Sequence, residues 1–486
     1  MSHGRALGWL AEQQPDAPAL IHEGTRRTRR ELEQRSNRLA RAYAELGVGE
    51  GDLVTLALAN SIEFFEACMA IWKLGATPQP VSARLPERER RAIVELADPP
   101  LVIGVEPGSY GARAAVAAGF EPDSGLGDEP LEDRVPKMVR AMTSGGSTGR
   151  PKLILETQPA LCDPELAANG MRLGGTTLVP GPMYHAGPFI TSWQAILSAG
   201  CVILMSRFDA SESLALIEAH GVDWVLFVPT MMQRIWRLPE AERESRDLSS
   251  LQVVMCTGAP SPQWLKRAWI GWIGPEKIIE AYGGSERIGG TQITGTEWLE
   301  HPGSVGRPTL GRLIRILGPD REELPAREVG EVFMLPPGGQ GSTYQYVGAS
   351  ATATRDGWES LGDMGYLDED GYLYLVDRKT DMIVTGGANV FPAEVEAAID
   401  AHPAVRSSAV VGLPDQDLGQ RVHAIVDAPR ELRAEPLGEE ELRTHLEEHL
   451  VRFKQPRSFE FVSELLRDDA GKVRRSALRE ARLGSD

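Results

Sequence analysis

The sequence predicts an α/β fold for most of the chain, followed by a small β-rich unit and a compact α+β domain. Three observations carry this prediction. Apolar strand-like runs alternate with helical segments up to about residue 310, the chain then breaks into short β-rich pieces, and the pattern restarts after residue 378. Alternating strands and helices are typical of parallel sheets covered by helices. A chain of 486 residues has room for roughly three folding units of about 150 residues.

The alternation begins with RRELEQRSNRLARAYAELG, whose apolar residues recur at helical spacing until Gly47. GDLVTLALAN then predicts a buried strand, and SIEFFEACMAIWKLGA predicts a helix that ends at Gly75. Further strands and helices are predicted, in chain order, at LVIGV, CVILMS, ALIEAHGV, WVLFVP, PTMMQRIWRL, LQVVMCTG and KIIEAYG.

The second and third units follow in the last third of the chain. RLIRIL, GEVFML and GYLYLVDR, separated by Gly, Pro and acidic turns, predict a smaller β-rich unit. Beyond it, MIVTGGANVFPAEVEAAID, SSAVVGLP, RVHAIVDA and EEELRTHLEEHLVRF indicate an α+β domain of about 100 residues. We place the boundary between an N-terminal domain, residues 1–379, and a C-terminal domain, residues 380–486.

The composition limits the cellular compartment and the classes of binding partner that we expect for this protein. The net charge of −18 disfavours a nucleic acid or an anionic membrane surface as the main partner. Cys68, Cys162, Cys201 and Cys256 are widely spaced without a CxxC motif, which is typical of reduced thiols in the cytosol. The N-terminus lacks a signal-peptide pattern, and no apolar run reaches the roughly 18 residues of a membrane helix. We therefore expect a cytoplasmic protein without membrane insertion, and a homodimer as the base-rate oligomer.

The stretch MTSGGSTGRPKLI, residues 142–154, is a candidate phosphate loop. Its glycines expose backbone N–H groups, its hydroxyls add donors, and Lys152 adds positive charge. The stretch is not a P-loop, because Pro151 separates Gly149 from Lys152 and Leu153 stands where the Mg²⁺-binding hydroxyl would be. A P-loop ATPase or kinase is therefore disfavoured, while a solvated turn remains the alternative for this stretch taken alone.

Further motifs follow in order, and together they resemble one family. TSGGSTGRPK is similar to the phosphate loop of the adenylate-forming superfamily, which includes acyl-CoA synthetases and the adenylation domains of peptide synthetases. CTGAP resembles its adenine-contact segment, AYGGSE its Tyr-Gly-x-Thr-Glu signature, and LLRDDAGKVRR its terminal lysine segment. GWESLGDMGYLDEDGYLYLVDRKTDMIVTGGANVFPAEVE resembles the ribose, hinge and thioester-loop motifs in one run. The likeness extends from about residue 17 to residue 482.

The resemblance implies an N-terminal domain of two αβ-layered sheets plus a β-rich subdomain, and a mobile C-terminal domain. It implies an ATP-dependent acyl-CoA synthetase that uses Mg²⁺ and CoA. A carboxylate attacks the α-phosphate of ATP, pyrophosphate leaves, and the acyl-adenylate passes its acyl group to the CoA thiol. Charge spreads over phosphate oxygens in such a transfer, so catalysis is mostly positioning and electrostatic stabilisation.

The same resemblance assigns the nucleotide site. Glu286 is the Mg²⁺ ligand, Asp363 accepts the ribose hydroxyls, and Arg378 adds charge near the ribose and the α-phosphate. The residues expected around the β and γ phosphates are Thr143, Ser144, Gly145, Gly146, Ser147, Thr148 and Lys152. The residues expected around adenine and the α-phosphate are Gly258, Ala259, Pro260, Tyr282, Gly283, Gly284 and Ser285.

The remaining expected site residues serve catalysis, the acyl group and CoA. Lys472 is the candidate for stabilising charge at the carboxylate and α-phosphate, and with Glu286 and His185 it forms the predicted catalytic set. The CoA tunnel is expected at Gly386, Gly387 and Ala388, and the hinge at Thr380, where the family usually has Asp or Lys. The acyl pocket is expected at Tyr184, His185, Trp193, Val228, Met231 and Met232, whose types also fit a hydrophobic core.

Several departures and alternatives bear on the substrate. The paired glycines of TSGGST resemble those in the ligases of bile-acid-like polycyclic acids. They favour a polycyclic acid over a fatty or aryl acid as the substrate. No acidic residue lies between Pro180 and Trp193 to pair with an α-ammonium, which disfavours amino acids.

Three alternative functions are weighed against this one. No carrier domain follows, so CoA is the expected acceptor and a free-standing carrier protein is the alternative. A non-catalytic nucleotide- or acyl-binding relative would lose Lys472 or Glu286, and both are present. HLEEH matches an inverted zinc motif, but Leu442, Leu446, Leu450 and Phe453 predict that its helix is an ordinary amphipathic one.

Overall fold

The computed structural model describes residues 1–145, 151–309, 311–429, 436–468 and 471–483, with the backbone alone at 144 and 145. The helices are α1 (His3–Gln13), α2 (Arg29–Glu45), α3 (Ile62–Lys73), α4 (Glu87–Ala97), α5 (Ala186–Leu197), α6 (Ala210–His220), α7 (Pro229–Trp236), α8 (Glu240–Glu244), α9 (Gln263–Ile273), α10 (Gly295–Glu300), α11 (Pro392–Asp400), α12 (Glu439–Glu447) and α13 (Arg475–Leu483).

The strands fall into six sheets. They are β1 (Pro18–His22), β2 (Thr25–Thr28), β3 (Leu53–Leu56), β4 (Thr77–Pro80), β5 (Leu101–Ile103), β6 (Ala114–Val116), β7 (Arg140–Gly145), β8 (Pro151–Glu156), β9 (Thr176–Val179), β10 (Cys201–Leu204), β11 (Trp224–Phe227), β12 (Val253–Cys256), β13 (Ile278–Gly283), β14 (Gly290–Thr294), β15 (Arg307–Pro308), β16 (Leu313–Leu317), β17 (Gly330–Leu335), β18 (Tyr344–Val347), β19 (Thr352–Ala353), β20 (Glu359–Leu367), β21 (Leu373–Arg378), β22 (Ile383–Thr385), β23 (Ala388–Val390), β24 (Ser407–Asp415), β25 (Gly419–Asp427) and β26 (Ser458–Val462).

The largest sheet has nine strands in the spatial order β15-β14-β13-β12-β11-β9-β10-β1-β2. The strands from β13 to β1 in this order run parallel, and antiparallel pairing occurs only where β2, β14 and β15 join. Every residue of β11 and β12 is buried, as expected for parallel strands covered on both faces. The predicted α/β architecture is confirmed.

A second parallel sheet, in the order β4-β3-β5-β6, is joined to the first through helix α3. Every residue of α3 except Glu63 is buried, in line with a sequence that is apolar on nearly all sides. Phe65 and Trp72 of α3 share one core cluster with Leu56 of β3 and Leu204 of β10. The two sheets therefore pack on a common core, which is the layered arrangement that the sequence resemblance implies.

The β-rich region consists of two antiparallel sheets. One is a five-stranded sheet in the order β16-β17-β20-β19, in which β21 pairs with β20. It matches the smaller β-rich unit that the sequence predicts beyond residue 310. The other has three strands, with β8 between β7 and β18. Strand β18 thus leaves its sequence neighbours to pair with β8, a pairing that the sequence did not indicate.

The C-terminal region is an α+β unit, as predicted. It holds the hairpin β22–β23 and the sheet β24-β25-β26, against which α11 and α12 pack. Its core includes Val395, Ile399, Val410 and Leu446.

The four cysteines are unpaired, as their spacing in the sequence predicts. All four cysteines are free thiols, and Cys68, Cys201 and Cys256 are buried. Within the described ranges, no helix has the length and apolar character needed to cross a bilayer.

A buried charge cluster ties the β7–β8 pair to the loop after β13. Glu156 of β8 accepts a hydrogen bond from Nη1 of Arg287 at 2.6 Å and forms an ion pair with Arg140 of β7. Arg140 and Glu156 are almost fully buried. Burial lowers the pKa of Arg140 to about 10, so the guanidinium stays charged at neutral pH. Arg287 has a φ of +54°, a left-handed conformation that its surroundings must hold in place.

We expect Glu156→Ala to lower the free energy of unfolding by about 3–5 kcal/mol, because two arginines lose their counter-ion and Arg140 stays buried. Urea unfolding followed by circular dichroism measures this. Glu369→Ala is the control, since it removes an ion pair with Arg327 whose two side chains are 62% and 69% exposed, and it should change stability little. A similarly small effect of both substitutions would contradict this role of the buried cluster.

Candidate active site

The base of the candidate phosphate loop is fixed to the second parallel sheet. Thr143 Oγ1 at the end of β7 accepts a hydrogen bond from Nε2 of Gln79 at 2.8 Å, and Oε1 of Gln79 accepts one from Thr55 at 2.7 Å. This chain of contacts runs from β3 through β4 to β7. The predicted phosphate contacts Gly146, Ser147 and Thr148 lie outside the described residues, and Ser144 and Gly145 are described by their backbone only.

Lys152 and Glu286, which are 134 residues apart in sequence, meet at this end of β8. Nζ of Lys152 donates a hydrogen bond to the phenol oxygen of Tyr346 at 2.9 Å, and that phenol donates one to Oε1 of Glu286 at 2.6 Å. The direct distance from Nζ to Oε1 is 3.5 Å. A cation beside a carboxylate matches the needs of a phosphate group and a divalent cation bound together.

The expected ribose residues also meet. The phenol of Tyr282 donates a hydrogen bond to Oδ2 of Asp363 at 2.7 Å, and Nε of Arg378 lies 3.3 Å from Oδ1. Asp363 and Arg378 are opposite each other on β20 and β21, so strand pairing sets this contact. Burial, and next the charge of Asp363, raise the pKa of Tyr282, which keeps the phenol protonated as a donor. The Arg378 side chain is 65% exposed and its guanidinium remains accessible to a ligand.

Two glycines show how tightly the nucleotide segments are built. Gly258 has a φ of +90°, and a Cβ there would lie 3.3 Å from Cγ1 of Val228. At Gly284 a Cβ would lie 2.7 Å from Leu361 and 2.8 Å from Oε2 of Glu286. Side chains are therefore disfavoured at both positions. The other residues expected in these segments all keep some exposed surface. They are Ala259, Pro260, Gly283 and Ser285.

Lys472 reaches this site from the C-terminal region. The preceding residue, Gly471, approaches α7 so closely that a Cβ would lie 2.7 Å from Oγ1 of Thr230. Burial, and next the charge of Arg378, lower the pKa of Lys472, while Asp468 and Glu286 act to raise it. Lys472 is an exposed residue, so its ammonium is only partly desolvated. The structure thus places it within electrostatic range of Glu286 and Arg378.

His185 lies immediately before helix α5, with its ring 4.4 Å from that of Tyr184. Burial, and next the charge of Lys472, lower the pKa of His185 to about 3, so the ring is neutral at physiological pH. Nε2 is buried and has no hydrogen-bond partner in the described part of the chain. The ring is therefore an uncharged imidazole with one unpaired ring nitrogen, and it does not have the pKa of a general base that works near pH 7.

The residues expected around the acyl group divide into two sets. Val228 is beside Gly258 of the expected adenine segment, and Met231 is close to Gly181, just before Tyr184 and His185; both also belong to the second core cluster. Trp193 lies 4.7 Å from the ring of Trp72 in the core. Met232 is buried in the second core cluster. The contacts of Trp193 and Met232 are those of core residues, which the sequence left open.

The expected hinge follows Arg378 by two residues, whereas the expected CoA tunnel has no described contact with the nucleotide residues. Thr380 is exposed and contacts its neighbour Asp381. Gly386 and Gly387 form the two-residue turn of the β22–β23 hairpin, both with positive φ, and the partly buried Ala388 follows them. The described contacts do not join this turn to Glu286, Asp363 or Arg378.

The HLEEH motif is part of an ordinary helix surface. Nε2 of His445 lies 2.9 Å from the carbonyl oxygen of Ala398. Leu442 and Leu446 are buried as predicted, but α12 ends at Glu447, and Phe453 beyond it is 52% exposed. Over the described ranges, no group of three or more His, Cys, Asp or Glu side chains has the geometry of a metal site.

Sequence reasoning missed two residues of this site, Tyr346 and Arg287. Both contact or adjoin Glu286, but they come from β18 and from the loop after β13. No local motif marks them. Only the pairing of β18 with β8 shows that Tyr346 belongs with Lys152.

Comparison with known proteins agrees with this geometry. A family model described as AMP-binding enzyme matches residues 7–339, and one described as AMP-binding enzyme C-terminal domain matches residues 394–472. A feruloyl-CoA synthase from Amycolatopsis is 33% identical over 483 residues, covering 96% of both chains. A fatty acid–[acyl-carrier-protein] ligase from Streptomyces coeruleorubidus is 29% identical over 503 residues, covering 97% of this chain and 94% of that protein.

A solved structure gives the same result. The o-succinylbenzoate CoA synthetase of Bacillus subtilis, in complex with its acyl-adenylate intermediate, matches with a TM-score of 0.83 and 26% identity. The match covers 99% of this chain and 98% of that one. The chain belongs to the AMP-binding enzyme family, the adenylate-forming enzymes. Within that family its relatives are AMP-forming acid–thiol ligases, which confirms the predicted family and enzyme class.

We expect His185 to make the protein less stable in acid. Its folded pKa of about 3 is below the ordinary value of 6.5, so the unfolded chain takes up the proton first as pH falls. Between pH 7 and pH 4 this linkage removes about 3 kcal/mol of stability. Urea unfolding at both pH values should show a smaller loss in His185→Gln than in the unsubstituted protein. His220→Gln, in the last turn of α6, is the control, and an identical acid loss in all three proteins would contradict the prediction.

Proposed function

We propose that this chain is an ATP-dependent acid–CoA ligase. A carboxylate oxygen attacks the α-phosphorus of ATP, the bond to the β-phosphate oxygen breaks, and pyrophosphate leaves. The thiol of CoA then attacks the carbonyl carbon of the acyl-adenylate, loses its proton, and releases AMP. The observation that carries the proposal is the packing of Gly471, the neighbour of Lys472, on Thr230 of the N-terminal region, which brings Lys472 within electrostatic range of Glu286 and Arg378.

The described residues fit ATP and Mg²⁺. Lys152 and Arg378 supply cations for phosphate oxygens, and Asp363 supplies the carboxylate for the ribose hydroxyls. Glu286 would hold Mg²⁺ through Oε2, because Oε1 already accepts the hydrogen bond from Tyr346. The bound ion would neutralise charge on the phosphates during transfer. Lys472 would stabilise the negative charge that develops between the carboxylate and the α-phosphate.

The two half reactions require the C-terminal domain, residues 380–486, to turn about Thr380 between them. Contacts between the two regions support this division. Arg237 of the N-terminal region donates hydrogen bonds to the carbonyl oxygens of Val405 and Arg406. Rotation would break these contacts and withdraw Lys472. The turn at Gly386 and Gly387 would then face the acyl-adenylate, where a thin pantetheine chain needs bare backbone.

We favour a ring-bearing carboxylic acid as substrate. The feruloyl-CoA synthase and the o-succinylbenzoate CoA synthetase act on ring-bearing acids by their names. The double-glycine loop favours a polycyclic acid over an aryl one, and both are ring-bearing. A free-standing carrier protein is the second candidate acceptor, because the Streptomyces relative is named as a carrier-protein ligase. We propose that the protein acts in the cytoplasm, as a homodimer, without nucleic acid.

Pyrophosphate release with ATP and Mg²⁺ tests the function directly. We expect release to depend on one member of a panel of aryl, polycyclic, fatty and amino acids, and a CoA thioester to appear by mass spectrometry when CoA is added. Release without a thioester would favour the carrier protein as acceptor. Release of phosphate in place of pyrophosphate, or release that needs no acid, would contradict adenylation.

The role of Lys472 has its own test. We expect Lys472→Ala to lower the rate of adenylation by on the order of 100-fold or more, because a preorganised charge near the transferring phosphoryl group is removed. Thioester formation from supplied acyl-adenylate should stay within a few-fold. Lys454→Ala is the control, since Lys454 pairs with Glu394 in the C-terminal region. Equal loss of both half reactions would contradict the assigned role.

A further inference from the structure

We propose that Tyr346 is a positioning residue of the phosphate and Mg²⁺ site, and that its phenol keeps Lys152 and Glu286 from neutralising each other. This inference rests on the proposed function, since it concerns the binding of Mg·ATP. It starts from the three-membered chain of Lys152, Tyr346 and Glu286, in which the phenol accepts at 2.9 Å and donates at 2.6 Å.

The separation of the two charges is the central observation. A direct hydrogen-bonded pair of an ammonium and a carboxylate has its N and O atoms about 2.7–2.9 Å apart. Here Nζ of Lys152 and Oε1 of Glu286 are 3.5 Å apart, although the two side chains are only 22% and 11% exposed. Partly buried opposite charges attract more strongly than they do in water. The phenol of Tyr346 contacts both atoms and bridges them from one side, so it competes with the direct contact for the ammonium and for Oε1.

The backbone fixes the phenol in this place. Tyr346 lies opposite Ile154 in the antiparallel pair of β18 and β8, so Lys152, two residues away, is its diagonal neighbour on the same face. Nζ of Lys152 is 4.0 Å from the centre of the Tyr346 ring. The ring of Tyr344 packs edge to face on that of Tyr346, with centres 4.7 Å apart. The phenol therefore has little freedom to move away from these two atoms.

The same segment also holds the backbone of Glu286. Oγ1 of Thr343, just before β18, donates a hydrogen bond to the carbonyl oxygen of Glu286 at 2.8 Å. Thr343 and Tyr346 thus fix the main chain and one carboxylate oxygen of Glu286. In the described part of the chain, Oε2 accepts no hydrogen bond and stays free for a cation.

This arrangement leaves both charges available to a ligand. The Lys152 ammonium has three donors, and the phenol uses one of them, so others remain for phosphate oxygens. Without the phenol, Lys152 and Glu286 would close into a direct ion pair. Mg·ATP would then have to break that pair before it could bind.

Calorimetric titration with Mg·ATP, in the absence of any acid substrate, tests this inference. We expect Tyr346→Phe to weaken binding on the order of tenfold, the size of a lost hydrogen bond to a charged group. At a fixed ATP concentration, the Mg²⁺ concentration for half-saturation should rise as well. Phenylalanine keeps the ring, so thermal unfolding should remain close to that of the unsubstituted protein.

Tyr344→Phe is the matched control on the same strand. Its phenol donates to Oε2 of Glu359 at 2.7 Å, not to Glu286, and its Mg·ATP affinity should stay within about twofold. Unchanged affinity in Tyr346→Phe, or an equal loss in both variants, would overturn the inference and leave the proposed function standing. No Mg·ATP binding by the unsubstituted protein would overturn the proposed function and this inference with it.

Discussion

The pairing of β8 with two different strands is the constraint on which the candidate site depends. On one edge β8 pairs with β7, which carries Thr143, and on the other with β18, which carries Tyr346. Lys152 at the start of β8 therefore lies between strand β7 and the tyrosine. At the other end of the strand, Glu156 binds Arg287 and so holds the neighbouring Glu286 in position. One short strand thus brings three distant segments into one site.

The positive charges close to the candidate site, rather than the net charge of the chain, would attract a nucleotide. The chain carries a net charge of −18, which would repel ATP from much of the surface. Lys152, Arg378 and Lys472 nevertheless converge from β8, from the end of β21 and from the C-terminal region. Lys152 lies near Glu286 and Arg378 lies near Asp363, but these contacts are long or partly exposed. Such cations keep donors for phosphate oxygens, whereas tight buried pairs such as Arg140 with Glu156 serve the fold.

The position of Lys472 depends on contacts between the two regions. Gly471 packs on Thr230 without space for a side chain, and Arg237 holds the carbonyl oxygens of Val405 and Arg406. These contacts are polar or small, and polar contacts are easier to exchange than a large apolar interface. A geometry of this kind suits a lysine that must be present for one half reaction and absent for the next.

The sequence by itself determined the fold class and the order of the units, and it named the candidate nucleotide residues. Helical and strand periodicity, glycine turns and short motifs act within windows of a few residues, so Lys152, Tyr282, Glu286, Asp363 and Lys472 could be named from the chain alone. The tertiary structure decided what no local window contains. It paired β18 with β8, gave Tyr346 and Arg287 their places beside Glu286, put Trp193 in the core and left Phe453 exposed. The physical reason is that long-range strand pairing and burial depend on the packing of surfaces far apart in sequence, which local periodicity does not encode.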